Sequence, residues 1–173
     1  MVHASSASRN KLHVGHLNIC HLRNKVLELG LFLTQSSPYH IFGVSESWLN
    51  DSVSDDAVSI SGYSVFRRDA KLPGQTGLTV YVHHTVLPFT RRRYDLDSND
   101  VECMWFEIKD HQKSPPVLVS FVYRNPASTF IWYDHFLHML DNASVRHPHY
   151  GGSQYRHAQT TCCMGVNNYA TWP

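Results

Sequence analysis

VGHLNICHLRNKVLELGLFLTQSSPYHIFGVSES, residues 14–47, contains two apolar runs separated by a segment of different periodicity. Val14 to Ile19 predicts a strand, and Tyr39 to Val44 predicts a second one. From His21 to about Phe32 the apolar residues recur at helical spacing instead. A strand, an amphipathic helix and a strand within about thirty residues predict two parallel neighbouring strands joined by a helix.

The helix of this unit has one apolar face and a clear stop. Ser36, Ser37 and Pro38 end it. The residues expected on its buried face are Leu22, Val26, Leu29 and Leu33.

Two polar residues lie where the two strands end. Asn18 falls at the end of the first strand, and Glu46 follows the second. Sites in such sheets form at the carboxyl ends of parallel strands. The pattern therefore indicates a functional site that includes Asn18 and Glu46.

Further strands follow along the chain. They are expected at Tyr63–Phe66, Leu78–Val82, Cys103–Ile108 and Val117–Tyr123. The last run is apolar on both faces, which predicts a central, covered strand. A helix is expected from Thr129 to Leu140, with a buried stripe made of Trp132, Phe136, Met139 and Leu140.

The composition excludes several classes of protein. Among 173 residues 42% are hydrophobic and 17% charged, which is typical of a globular domain, and no apolar run is long enough to span a membrane. The N-terminus lacks the apolar core of a signal peptide, and the four cysteines have unrelated spacings. We expect an intracellular, reduced protein, with a nuclear location left open.

The net charge of +1 gives no global positive field that would attract nucleic acid, although local DNA binding does not require one.

Thirteen histidines make zinc a hypothesis to consider. His13, His16 and His21 are close in sequence, as are His147 and His149, but no cysteine pair accompanies them at zinc-finger spacing. Scattered surface histidines are the favoured interpretation.

Six segments in this order resemble one family, the endonuclease domain of non-LTR (LINE-like) retrotransposons, within the endonuclease/exonuclease/phosphatase superfamily. The matching segments are LNICHLRNK from Leu17, YHIFGVSESWLNDSVSD from Tyr39, GYSVFRRD from Gly62, TGLTVYV from Thr76, VECMWFEI from Val101, and FVYRNP from Phe121 followed by WYDHFLHML from Trp132.

The resemblance implies an α/β fold, a two-layer β-sandwich flanked by helices, of which this chain carries the N-terminal portion. Residues 12–141 are expected to form this partial domain, and residues 142–173 a divergent, disordered tail. The implied chemistry is magnesium-dependent hydrolysis of DNA phosphodiester bonds, with a His–Asp pair that activates water. DNA is the implied partner, and no membrane or protein partner is indicated.

The resemblance also implies roles for individual residues. Glu46 matches the metal-binding glutamate, Asn18 an asparagine that holds the phosphate, and Tyr123 a tyrosine that contacts it. Each also has a plainer interpretation: a solvated glutamate, a turn asparagine and a half-buried aromatic residue.

Several arginines are candidates for contact with the DNA backbone. They are Arg67, Arg68, Arg124 and the run Arg91–Arg93. A charge run is usually a solvated face, and the neighbouring acidic stretch from Asp95 to Glu102 favours that plainer interpretation.

The chain departs from the family after the second helix. The family continues with G-D-F-N and later S-D-H, and neither motif occurs here. Asp141-Asn142 is not preceded by an apolar strand, and His147 and His149 lack the S-D context. We therefore expect little or no catalysis. The alternative is a non-catalytic remnant, at most a weak nucleic-acid or protein interaction module, produced by decay of an element or by a shifted reading frame.

Overall fold

The computed structural model describes residues 12–35, 39–72, 75–109 and 116–145. Seven strands form two sheets. The strands are β1 (Val14–Asn18), β2 (Ile41–Ser45), β3 (Tyr63–Arg68), β4 (Leu78–His83), β5 (Thr90–Arg92), β6 (Glu102–Ile108) and β7 (Val117–Tyr123). The helices are α1 (Val26–Thr34) and α2 (Ile131–Val145), and short 3-10 turns lie at Leu22–Asn24, Asp55–Val58, Leu87–Phe89 and Tyr94–Leu96.

The first sheet has the strand order β1-β2-β4-β3. β1 and β2 are parallel neighbours, as the strand–helix–strand pattern predicted, and the other pairs are antiparallel. The second sheet has the order β5-β6-β7 and is antiparallel throughout.

The two sheets pack face to face. Val80 and Val82 of the first sheet share a buried cluster with Phe106 and Phe121 of the second. α1 covers the outer face of the first sheet, where Leu29 and Leu33 join Phe42 and Tyr81 in a buried cluster. α2 covers the outer face of the second sheet, through Trp132, Met139 and Ala143. The predicted two-layer sandwich flanked by helices is confirmed.

The apolar face predicted for the first helix is buried. Leu22, Leu29 and Leu33 are buried and Val26 packs against the same cluster, but Leu22 belongs to a 3-10 turn that precedes α1. α1 begins only at Val26, after Lys25, whose backbone angles (φ −122°, ψ 6°) depart from helical values and separate the 3-10 turn from the helix.

The predicted central position of the last strand is wrong for the described residues. β7 is buried along nearly its whole length, as its composition predicted, but it pairs only with β6 and lies at the edge of its sheet. Apolar side chains on both faces of a strand indicate that layers cover it above and below. They do not indicate whether another strand pairs with it on each side.

The second helix extends to Val145, beyond the residue 141 boundary expected for the domain. Ala143 is buried in the cluster under α2, and Asp141 and Asn142 are exposed helical residues. The remainder of the expected tail, from residue 146, lies outside the described residues. No helix in the described ranges combines the length and the apolarity that crossing a membrane requires.

Candidate active site

Asn18 and Glu46 meet at the carboxyl ends of two parallel strands. Asn18 is the last residue of β1 and pairs in register with Ser45, so Glu46 follows directly beside it. The Asn18 amide nitrogen Nδ2 donates a hydrogen bond to Glu46 Oε1 at 2.6 Å. The parallel register thus brings together two residues that are 28 positions apart in sequence.

Tyr123 reaches the same carboxylate from the other sheet. It ends β7, and its hydroxyl donates to Glu46 Oε1 at 2.7 Å. Burial, together with the hydrogen bond to Glu46, raises the pKa of Tyr123 above its usual range. The phenol therefore remains protonated at neutral pH and acts as a donor.

The backbone at Glu46 is strained. Glu46 has φ 54° and Trp48 φ 52°, in the left-handed region that non-glycine residues seldom occupy. Cys20 and His21, on the neighbouring loop, are the remaining non-glycine residues with positive φ in the described part of the chain. Such strain costs of order 1 kcal/mol or more per residue and clusters at functional sites.

Backbone hydrogen bonds hold the strained turn in place. The Glu46 carbonyl accepts from the backbone N–H of His21 at 2.9 Å, and Ser47 N–H donates to the Gly77 carbonyl at 3.1 Å. The turn is thus fixed to the loop after β1 on one side and to the residue before β4 on the other. This fixation gives Glu46 a defined orientation before any ligand binds.

An aromatic pair lies on the two loop segments that flank Glu46. The His21 ring stacks on the Trp48 ring with 5.5 Å between centroids and 26° between planes. Trp48 is 46% exposed, and His21 is exposed as well. The rim of the site therefore presents a flat aromatic surface to solvent.

Glu102 is a site-associated residue that sequence reasoning missed. It begins β6 and is buried, and its carboxylate accepts hydrogen bonds from the backbone N–H groups of Thr76 and Gly77. Burial raises the pKa of Glu102, which these N–H donors and the charge of Arg68 oppose. The sequence alternation in β6 could have indicated that Glu102 is buried, because it shares the inward face of the strand with Met104, Phe106 and Ile108.

Arg67 has intramolecular partners rather than a free guanidinium group. It pairs with Asp55 and Asp69 and donates to the carbonyls of Asn50 and Val53, which attaches the loop before β3 to that strand. Its expected contact with DNA stays a prediction that the geometry does not favour.

Arg68 and Arg124 are similarly engaged. Arg68 donates to the carbonyls of Ser98 and Cys103, across the two sheets. The Arg124 guanidinium carbon lies 5.0 Å from the ring centre of Tyr133 and 5.8 Å from that of Trp132, so it packs on the start of α2. Neither residue has a hydrogen bond to the Asn18–Glu46–Tyr123 cluster among the described contacts.

Two of the three arginines in the run around β5 are largely buried and ion-paired, in place of the solvated face that the sequence favoured. Arg92 pairs with Asp97, and Arg93 pairs with Asp95 and Glu107, while Arg91 is exposed. Most of the positive charge of this run is therefore neutralised locally.

The cluster can hold a hard cation through one carboxylate. Glu46 Oε1 receives both hydrogen bonds, and no described donor is bonded to Oε2. Magnesium accepts such a site, because water and substrate phosphate fill its other positions. A single carboxylate implies weak binding.

The structure gives no support to a zinc site. Within the described ranges no three His, Cys, Asp or Glu side chains converge as metal ligands, and those ranges include His13, His16 and His21. His147 and His149 lie outside the described residues. The cysteines that the structure describes, Cys20 and Cys103, are free.

Comparisons with known proteins identify the fold. No protein-family profile and no curated protein sequence matches the chain. Among solved structures, the AP endonuclease LMAP from Leishmania major superposes with a TM-score of 0.52 at 17% identity, covering 78% of this chain and 46% of that protein. The endonuclease domain of TRAS1, a telomere-specific non-LTR retrotransposon, superposes with a TM-score of 0.50 at 11% identity, covering 79% of this chain and 53% of that domain.

These likenesses show that the described strands and helices have the endonuclease/exonuclease/phosphatase fold. The chain spans about half the length of each of these two relatives. At such low identity the similarity establishes architecture, and the chemistry has to be argued from the side chains.

Proposed function

We propose that Asn18, Glu46 and Tyr123 form the magnesium- and phosphate-binding part of an endonuclease-type phosphodiesterase site. The convergence of two donors, one from each sheet, on a single oxygen of a carboxylate held in a left-handed turn carries this proposal. A solvated surface glutamate needs neither the strained backbone nor the two donors.

Each residue has a distinct task in this proposal. Glu46 holds the cation through its carboxylate. Tyr123, kept protonated by its surroundings, donates to Glu46 here and would redirect its single O–H to a phosphate oxygen when substrate binds. The Asn18 amide orients Glu46 with one N–H and offers the other as a donor. The chemistry that magnesium held by Glu46 would supply is polarisation of the phosphate and neutralisation of charge on the leaving oxygen.

DNA is the proposed substrate class. Both solved relatives are named as endonucleases, one of them from a retrotransposon. The exposed His21–Trp48 pair on the loop segments that flank Glu46 supports nucleic-acid binding, because aromatic side chains stack on bases without sequence preference.

Binding without efficient cleavage is the behaviour we propose for this chain. The sequence contains no G-D-F-N and no S-D-H motif, the segments that bring the water-activating groups in the family it resembles. One carboxylate also binds magnesium weakly. A weak nucleic-acid interaction module is therefore the second candidate function, and it uses the same residues.

Cation binding and plasmid nicking test the two parts separately. We expect Mn²⁺ to broaden the NMR signals of Asn18 and Glu46, and Glu46→Gln to weaken this binding by about ten-fold or more. Glu28→Gln, at an exposed position of α1, is the matched control. We also expect no magnesium-dependent nicking of supercoiled plasmid above background.

The outcomes separate the hypotheses. Absence of localised Mn²⁺ binding in the wild-type chain would refute the proposed site. Nicking that requires magnesium and is lost in Glu46→Gln would support the site and refute the proposed lack of cleavage.

A further inference from the structure

The buried carboxylate of Glu102 binds two consecutive backbone N–H groups. Gly77 N–H donates to Oε1 at 2.6 Å, and Thr76 N–H donates to Oε2 at 3.2 Å. Glu102 is only 8% exposed, so these bonds form largely out of water, where charge-assisted hydrogen bonds are strong.

The same two residues bind the turn that carries Glu46 through their carbonyl groups. Ser47 N–H donates to the Gly77 carbonyl at 3.1 Å, and Trp48 N–H donates to the Thr76 carbonyl at 2.8 Å. Residues 76 and 77 therefore connect Glu102 on one side to the Glu46 turn on the other.

The connection requires glycine at position 77. Gly77 has φ 87°, and a Cβ added there would lie 2.5 Å from Ser47 Oγ. A side chain at position 77 would thus require both a strained backbone and displacement of the Ser47 hydroxyl.

The turn needs this external support because its own conformation is unfavourable. Glu46 and Trp48, on either side of Ser47, both have positive φ, and a non-glycine residue keeps such a conformation only where its surroundings impose it. The hydrogen bonds that the carbonyl groups of Thr76 and Gly77 accept from the turn are surroundings of this kind.

We propose that Glu102 is a positioning residue: through the Thr76–Gly77 backbone it holds the Glu46 turn in the conformation that presents its carboxylate to Asn18 and Tyr123. Glu102 does not touch the cation or the phosphate in this proposal. The positioning proposal rests on the proposed function in one respect only, the expectation that loss of the Glu102 carboxylate weakens cation binding at Glu46.

The variant Glu102→Gln tests the proposal at nearly unchanged volume. A glutamine oxygen can accept one of the two N–H groups, but its NH2 group then faces the other N–H, donor against donor. We expect the Asn18 side-chain amide signal, which reports its bond to Glu46, to shift in the metal-free variant. We also expect Mn²⁺ affinity to fall by about ten-fold or more, as for other residues that orient metal ligands.

Glu107→Gln is the matched control, because Glu107 lies on the same strand and loses an ion pair with Arg93 when neutralised. It therefore destabilises the sheet without reaching the Glu46 turn. We expect its Asn18 signal and its Mn²⁺ affinity to equal those of the wild-type chain. A simple stability effect would move both variants alike and would overturn the proposal.

The remaining outcomes are also decisive. An unshifted Asn18 amide and an unchanged Mn²⁺ affinity in Glu102→Gln would overturn the positioning role. If that variant does not fold, Glu102→Asp takes its place, since its side chain is one methylene group shorter and its carboxylate does not reach both N–H groups. Absence of Mn²⁺ binding in the wild-type chain refutes the proposed function alone, because the metal-free Asn18 signal still decides the role of Glu102.

Discussion

His16 illustrates how the surroundings of one side chain set its chemistry. It lies on β1 with its ring stacked on Phe121 at 6.1 Å, and its Nε2 atom is buried without a hydrogen-bond partner. Burial lowers the pKa of His16 to about 4. The imidazole is therefore neutral in the folded protein at any pH near neutrality.

This neutral histidine predicts a pH-dependent stability. Between the unfolded value of 6.5 and the folded value of about 4, the unfolded chain binds more protons than the folded one. The free energy of unfolding is thus not reduced by His16 above this window. It decreases as the pH falls through the window, by at most about 1.4 kcal/mol per pH unit. Urea unfolding at several pH values between 7 and 4.5 measures the slope.

The variant His16→Phe should have a smaller slope than the wild-type chain, because it keeps a ring and removes the proton site. His84→Gln, at an exposed position, should leave the slope unchanged. Equal slopes in His16→Phe and the wild-type chain would contradict the assignment.

Single residues also show what the sequence could reveal about the site. The meeting of Asn18 and Glu46 was predictable, because parallel strands align their carboxyl ends. The partners of Glu102 were not, since they are backbone groups about 25 positions away whose approach depends on a loop conformation. The same holds for the carbonyl groups that accept hydrogen bonds from Arg67 and Arg68, which belong to Asn50, Val53, Ser98 and Cys103.

At the scale of elements, the separation of β2 from the second sheet is set by a glycine. Gly43 lies in the middle of β2, and a Cβ added there would overlap the Phe121 ring of β7. A Cβ added at Gly30, in α1, would instead make an ordinary van der Waals contact with the Ile60 side chain at 3.9 Å. The two glycines therefore have different reasons to be present.

Alanine at these positions should have opposite effects. Gly43→Ala should lower the free energy of unfolding by about 1–3 kcal/mol, because it overpacks the interface between the sheets. Gly30→Ala should raise it by about 0.5–1 kcal/mol, because alanine favours the helix. Urea unfolding of both variants measures the difference, and a stable Gly43→Ala variant would show that the sheets separate at little cost.

Elements were easier to predict than their arrangement. Periodicity located both helices and all strands except the short β5, since an apolar face is a local property of the sequence. The edge position of β7 was not accessible, because lateral pairing depends on which other strands are available.

Across the whole molecule, Arg68 connects the two sheets. It ends β3, at the edge of the first sheet, and its guanidinium group donates to the carbonyls of Cys103 in β6 and of Ser98 at 2.8 and 2.7 Å. Both acceptors belong to the segment that forms the second sheet or leads into it. The connection is thus a polar complement to the apolar interface between the sheets.

Arg68→Ala should lower the free energy of unfolding by about 2 kcal/mol or more, because it removes charged hydrogen bonds and leaves buried carbonyl groups without a donor. Arg91→Ala, at an exposed position of β5, should change it by less than about 0.5 kcal/mol. Urea unfolding and DNA affinity should be measured together. Unchanged stability with weakened DNA binding in Arg68→Ala would restore the role that the sequence suggested for this residue.

The left-handed backbone at Glu46 has an evolutionary consequence. A glutamate codon becomes a glycine codon by one nucleotide change, and glycine adopts this conformation without strain. Replacement of Glu46 by glycine would therefore not be opposed by the fold, because it would relieve the backbone strain at this position. A glutamate at position 46 is therefore what the proposed cation-binding role predicts, since the backbone conformation by itself favours glycine.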